Sequence, residues 1–122
     1  MWEIKKSLLE DLCSTAKNYL PDEFMCFLSG DKKKETITEI VLLPNYSSST
    51  AVMINELNIP LDDTIIGTMH SHPNSSNHAS SADKKMFKKY KLNLILGYPF
   101  VIENIGFYDE KANPITIMPI SD

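Results

Sequence analysis

Residues 70–83 read HSHPNSSNHASSAD, and four of them, His70, His72, His78 and Asp83, are types that bind metal ions, the first two one residue apart. Two neutral imidazoles and one carboxylate make a three-ligand set for Zn²⁺ that leaves the fourth tetrahedral position to water, as a catalytic zinc requires. A structural zinc would take four protein ligands, usually with thiolates, and no cysteine is placed to serve. The stretch also has a purely structural reading. The histidines would be polar residues at a strand's exit, Pro73 a turn former, and Ser80 with Asp83 an S-x-x-D helix cap that satisfies free N–H groups. Each piece is common alone, yet H-x-H-x7-S-x-x-D together arises by chance in a chain this long on the order of a few times in ten thousand. The spacing favours the metal. Water at such a site still has a proton to lose and a leaving amine to protonate, so a carboxylate base is needed. Periodicity and spacing leave its identity open among sixteen acidic residues.

The elements around this stretch must bring the three groups together. DDTIIGTMHSH (62–72) starts with turn residues, passes through β-branched Thr64, Ile65 and Ile66, and ends in the histidine pair. A strand presents i and i+2 on one face, so His70 and His72 point the same way. PNSSNHAS is loop, and SADKKMFKKYK (81–91) carries Met86, Phe87 and Tyr90 at helical spacing. Asp83 then falls in the first turn, where the helix dipole favours its ionised form. Upstream, Ile4, Leu8, Leu12, Ala16 and Leu20 predict a helix over roughly 3–19, ended by Pro21. FMCFLSG (24–30) and KETITEIVLLP (34–44), joined through GDKKK, read as a hairpin. NYSSST (45–50) reads as a polar loop and AVMINEL (51–57) as a strand in preference to a helix. LNLILGYP (92–99), ENIGFYD (103–109) and PITIMPI (114–120) are three further strands. The order α-β-β-β-β-α-β-β-β indicates an α+β or mixed α/β domain, a central sheet flanked by helices.

The 122 residues suit one domain, 1–122. Hydrophobic residues at 43% and charged residues at 23% fit a globular chain and exclude a disordered or fibrous one. A net charge of −4 argues against nucleic acid as a partner, and all twelve cations are lysine, which removes the usual bidentate reader of phosphate. Cys13 and Cys26 lack CxxC spacing, so neither a thiolate zinc site nor a disulfide framework is expected. Glu3, Lys5, Lys6, Glu10 and Asp11 interrupt the N-terminal stretch, so no signal peptide or membrane span is expected there, and a cytoplasmic location follows.

HSHPNSSNHASSAD resembles the signature of the JAMM (MPN+) metalloprotease family: a distant Glu, then His-x-His-Pro, seven residues to a Ser, and an Asp three further on. His70, His72, Pro73, Ser80 and Asp83 match it. PDEFMCFLSG (21–30) is similar to the family's upstream segment and nominates Glu23, at the start of the first strand. Gly67 before the histidine pair and ILGYP after the helix also fit, so the resemblance runs over nearly the whole chain. It implies that His70, His72 and Asp83 bind zinc, that Glu23 is general base and then acid, and that Ser80 stabilises the oxyanion. It further implies a curved sheet sandwiched by helices, similar in outline to cytidine deaminases, and hydrolysis of isopeptide or peptide bonds next to the C-terminal tail of ubiquitin or ubiquitin-like proteins. One departure is Cys26, three residues after Glu23, where many members have Gly. Close to the bare family core, the chain resembles a prokaryotic or archaeal-type member acting on small ubiquitin-like or sulfur-carrier proteins.

Other readings compete. A catalytically silent MPN scaffold that binds a protein partner would typically lack the ligands, which this chain keeps. A nucleobase deaminase needs P-C-x-x-C and a thermolysin-type protease H-E-x-x-H, and neither motif is present. His78 reads as a polar loop residue and Cys26 as core filler. The lysines at 84, 85, 88, 89 and 91 read as a solvated helix face, with attraction to an acidic ubiquitin-like substrate as the alternative. Asn45, Tyr46 and the loop around them are candidates to line a groove for an extended substrate tail.

Overall fold

Ile4 is fully buried, and its partners decide how the chain begins. In the computed structural model, which describes residues 1–42 and 64–121, Glu3–Lys5 is a strand, β1, and not the first turn of the expected helix. It pairs in parallel with Thr36–Val41 (β3) on one side and Met118–Ile120 (β7) on the other, so both its edges are occupied. Sheet pairing therefore overrides the helical spacing of Ile4. Helix α1 follows as Lys6–Asn18 and buries Leu9, Leu12, Cys13 and Ala16, the i, i+3, i+4, i+7 set of a core-facing stripe. Leu20, at the end of the expected stripe, lies past the helix and is 38% exposed.

The expected hairpin is present as Met25–Asp31 (β2) and β3. Its turn is pinned by Asp31, whose Oδ1 accepts from the backbone N–H groups of Lys33 and Lys34 at 2.9 and 3.1 Å. The loop expected at 45–50 and the strand expected at 51–57 lie outside the described residues. The chain is next described at β4 (Ile65–His72), then α2 (Ser81–Phe87), β5 (Leu92–Gly97), a 3-10 turn at Ile102–Asn104, and β6 (Ile105–Tyr108). The described strands form one mixed sheet of order β6-β5-β4-β2-β3-β1-β7. β4 sits inside it, antiparallel to β2 and parallel to β5. A strand flanked on both sides and covered on both faces reads as a continuous apolar run, as TIIGTM does.

The two helices cover opposite faces. Leu92, Leu94 and Leu96 of β5 join the cluster around α1, whereas Ile95 packs with Phe87 of α2, as strand alternation requires. α2 is shorter than the 81–91 expected. Tyr90 donates its N–H to the Phe87 carbonyl, and Lys91 donates to Ile66 of β4, so the sheet captures the chain one turn early. Residues 102–104 coil before β6. Of 114–120 only the last three form a strand, Pro114 making a lone bridge to Tyr108. Among the described residues no helix is long and apolar enough to cross a membrane.

Candidate metal centre

β4 and β5 run in parallel, and ligands of open α/β sheets collect at the carboxyl ends of such strands. His70 and His72 end β4 on the face that α2 covers. Their rings lie 5.1 Å apart, with Phe87 of α2 6.3 Å from His70. Asp83 enters from the first turn of α2, fixed by a reciprocal cap: Ser80 donates its N–H to Asp83 Oδ2 at 2.8 Å, and Asp83 donates its N–H to Ser80 Oγ at 3.1 Å. The structural and chemical readings of this stretch hold together, because the cap aims the carboxylate.

One ligand atom from each of His70, His72 and Asp83 lies within 4.8 Å of the others. His70 Nε2 stands 2.9 Å from Asp83 Oδ1, and His72 Nε2 stands 3.4 Å from Asp83 Oδ2. For bonds of about 2.0–2.1 Å at tetrahedral angles, neighbouring ligand atoms stand roughly 3.3 Å apart, so the spacing suits a shared small cation. Despite the 2.9 Å contact, neither ring nitrogen of the buried His70 makes a hydrogen bond among the described residues. Leaving such groups unpaired costs about 1–3 kcal/mol each, so a buried imidazole with two orphaned nitrogens asks for a partner. A metal ion supplies one. His72 Nδ1 lies 3.0 Å from the Ser76 carbonyl oxygen, which only accepts; that contact favours a proton on Nδ1 and leaves Nε2, 3.4 Å from Asp83 Oδ2, as the nitrogen that can face a metal ion.

The charges agree with this geometry. Burial alone would raise the Asp83 carboxyl, but the His70 and His72 side chains and the Ser80 N–H outweigh it and hold the group far below the usual carboxylate range. The contact with Asp83 raises His72 above the usual imidazole range, against the pull of burial. Glu23 is raised by partial burial, opposed by the two histidines and reinforced by Asp83. It precedes β2, which is the second strand and not the first as expected, and it senses all three members of the cluster without belonging to it.

Ser71, between the two histidines, went unnoticed in the sequence. It is fully buried, its Oγ accepts from the Phe24 N–H at 2.8 Å, and its own N–H donates to the Phe24 carbonyl at 2.9 Å. These bonds fasten the residue after Glu23 beside the histidine pair. A serine within the motif was the available signal. Cys26 is buried in the core with its thiol pushed far up by desolvation, so it is no nucleophile, and its small side chain fits where many family members carry Gly. His78 is exposed on the loop and outside the cluster. Lys84, Lys85, Lys88, Lys89 and Lys91 are exposed. Asn45 and Tyr46 lie outside the described residues.

The family model for prokaryotic homologues of the JAB domain matches residues 5–108. A probable metalloprotease from Haloferax volcanii is 27% identical in a 102-residue alignment that covers 75% of this chain and 63% of that protein's length. A solved structure described as a JAMM metalloprotease-like zinc site in the proteasome and signalosome is 26% identical, with a TM-score of 0.75 and 98% of both chains covered. A JAB1/MPN domain protein from Archaeoglobus fulgidus is 28% identical, with a TM-score of 0.76 over 97% of this chain and 98% of the other. A protein from Desulfitobacterium hafniense, 15% identical, shares the fold with a TM-score of 0.62 over 100% of this chain and 94% of its own.

Proposed function

Because the chain belongs to the family of prokaryotic homologues of the JAB domain, we propose that it is a zinc-dependent peptidase or isopeptidase with His70, His72 and Asp83 as metal ligands. The observation that carries this reading is the convergence of the three side chains around His70 Nε2, which makes no hydrogen bond among the described residues. A zinc ion held there would polarise the scissile carbonyl and lower the pKa of a coordinated water to about 7.

The remaining steps belong to the chain. Glu23 takes the proton of the attacking water and passes it to the leaving amine. A carboxyl raised above its ordinary value by burial is suited to both halves of that transfer. The Ser80 hydroxyl already accepts from Asp83 N–H, which leaves its own proton free to donate to the oxyanion of the tetrahedral intermediate. Phe87 excludes water from the far side of His70. The substrate in this reading is the C-terminal tail of a ubiquitin-like or sulfur-carrier protein, or a lysine conjugate of one, and the setting is cytoplasmic. The Haloferax relative and the JAMM zinc-site structure support the chemistry.

Turnover of ubiquitin-like fusions and isopeptide conjugates should stop with chelator and return with Zn²⁺. Glu23→Gln should lower kcat by about 10²- to 10⁴-fold while zinc stays bound, as expected for loss of a general base. Asp83→Asn should lose both zinc and turnover. Full activity in either variant, or activity indifferent to chelator, rejects the mechanism.

A further inference from the structure

The carbonyl that orients His72 belongs to Ser76, in a loop that is largely exposed and has little apolar packing of its own. What holds that loop lies more than twenty residues further along the chain. Tyr98 donates its backbone N–H to the Asn74 carbonyl at 2.7 Å. Asn104 donates from Nδ2 to the Ser75 carbonyl at 3.2 Å and to the Tyr98 carbonyl at 3.1 Å, and its Oδ1 accepts from Asn77 Nδ2 at 3.1 Å. Tyr108 donates its hydroxyl to the Asn77 carbonyl at 2.7 Å. The carbonyls of residues 74, 75 and 77 are thus all taken by the β5–β6 end of the sheet, and the one between, Ser76, is left turned to the imidazole. Two glycines make room for the approach. A Cβ at Gly97 would stand 2.7 Å from Asn104 Nδ2 and 2.8 Å from the Ser75 oxygen, and one at Gly106 would stand 2.6 Å from the Asn77 oxygen.

We propose that Asn104 and Tyr108 are positioning residues for the metal centre. By clamping residues 74–77 they hold the Ser76 carbonyl where it accepts from His72 Nδ1 and so keeps the ring turned with Nε2 toward the metal position. The inference rests on the metal-centre reading above. Partners that orient a ligating histidine typically contribute 10- to 100-fold to metal affinity, and here two side chains do so through a third residue's backbone.

Asn104→Asp keeps the shape and removes both donations, while Tyr108→Phe keeps the ring stacked at 5.8 Å on Phe87 and removes only the hydroxyl. Zinc affinity is measured by competition with a colorimetric chelator. The His72 tautomer is read from imidazole ¹⁵N shifts of the metal-free protein in alkaline buffer. Asn104→Asp should weaken zinc about 10- to 100-fold, Tyr108→Phe by less, and both should shift the His72 proton from Nδ1 toward Nε2. Wild-type affinity in both variants, or weakened affinity with an unchanged tautomer, overturns the proposal. A wild-type protein that binds no zinc counts against the proposed function instead, and the tautomer measurement then decides this inference alone. Should Asn104→Asp fail to fold, Tyr108→Phe carries the test.

Discussion

Ser80 has a capping role and a proposed catalytic one, which a single substitution would confuse. Its Oγ caps α2 by accepting from Asp83 N–H, and its hydroxyl proton is the proposed oxyanion donor. Replacing a capping serine with alanine costs about 0.5–2 kcal/mol, whereas glycine in the same place costs only a few tenths. Ser80→Gly should therefore leave the melting temperature nearly unchanged while lowering kcat by about 10²- to 10³-fold, the usual loss for one oxyanion donor. Ser80→Ala should lose both. Wild-type kcat in the glycine variant would leave Ser80 a cap and nothing more. At this scale the sequence was readable wherever chemistry resides in a residue type within one short stretch: the His70, His72 and Asp83 cluster could be picked out directly, and Ser80 as the cap of α2. Glu23 could not, because a carboxylate 47 residues before the histidines has no spacing that marks it, and only resemblance nominated it. The Ser76 carbonyl could not be found at all, since every residue has one. Asn104 and Tyr108 act through space on residues about 30 positions away, beyond any periodicity.

Among the elements, β4 and α2 carry the site, and a second buried polar pair ties them to β5. Thr68 donates to Asn93 Oδ1 at 2.6 Å, and Asn93 Nδ2 donates to the Tyr90 carbonyl at 3.0 Å, where the chain leaves α2. Both side chains are fully buried. Thr68→Val keeps the shape and β-preference of the strand but strands the Asn93 oxygen, a loss of about 1–3 kcal/mol. The expected result in a thermal melt is a drop of several degrees with zinc affinity retained, because Thr68 touches no ligand. An unchanged melt would mean that the pair contributes nothing net. The type of most elements was legible from apolar period and turn residues. Their ends were decided by pairing instead. Ile4 has a helical spacing to Leu8 and Leu12, yet strands on both sides of β1 claim it, and Lys91 looks helical until Ile66 takes its N–H. Only the last three residues of 114–120 became a strand; Pro114 has no N–H to give a ladder and makes only a lone bridge to Tyr108.

Folding the whole molecule forces a carboxylate that is 1% exposed against two imidazoles, and its charge must be balanced with or without a metal. Without metal the balance comes from protonated imidazole, which is why Asp83 lowers and His72 rises. Asp83, depressed in the fold, contributes stability above its ordinary value of 3.8 and loses it as pH falls further. His72, raised in the fold, contributes fully below its ordinary value of 6.5 and loses that contribution as pH climbs through its folded value. The metal-free protein should accordingly be most stable in weak acid. Zinc needs both imidazoles neutral and so competes with the protons that steady the empty site. Its stabilisation, about 2.7 kcal/mol when free zinc is a hundred times the dissociation constant, should be small in weak acid and grow toward neutral and weakly alkaline pH. Melting curves with chelator and with zinc, taken across that range, measure the difference directly. An increment that stays flat or shrinks as pH rises would mean that the ion is held by groups other than His70 and His72.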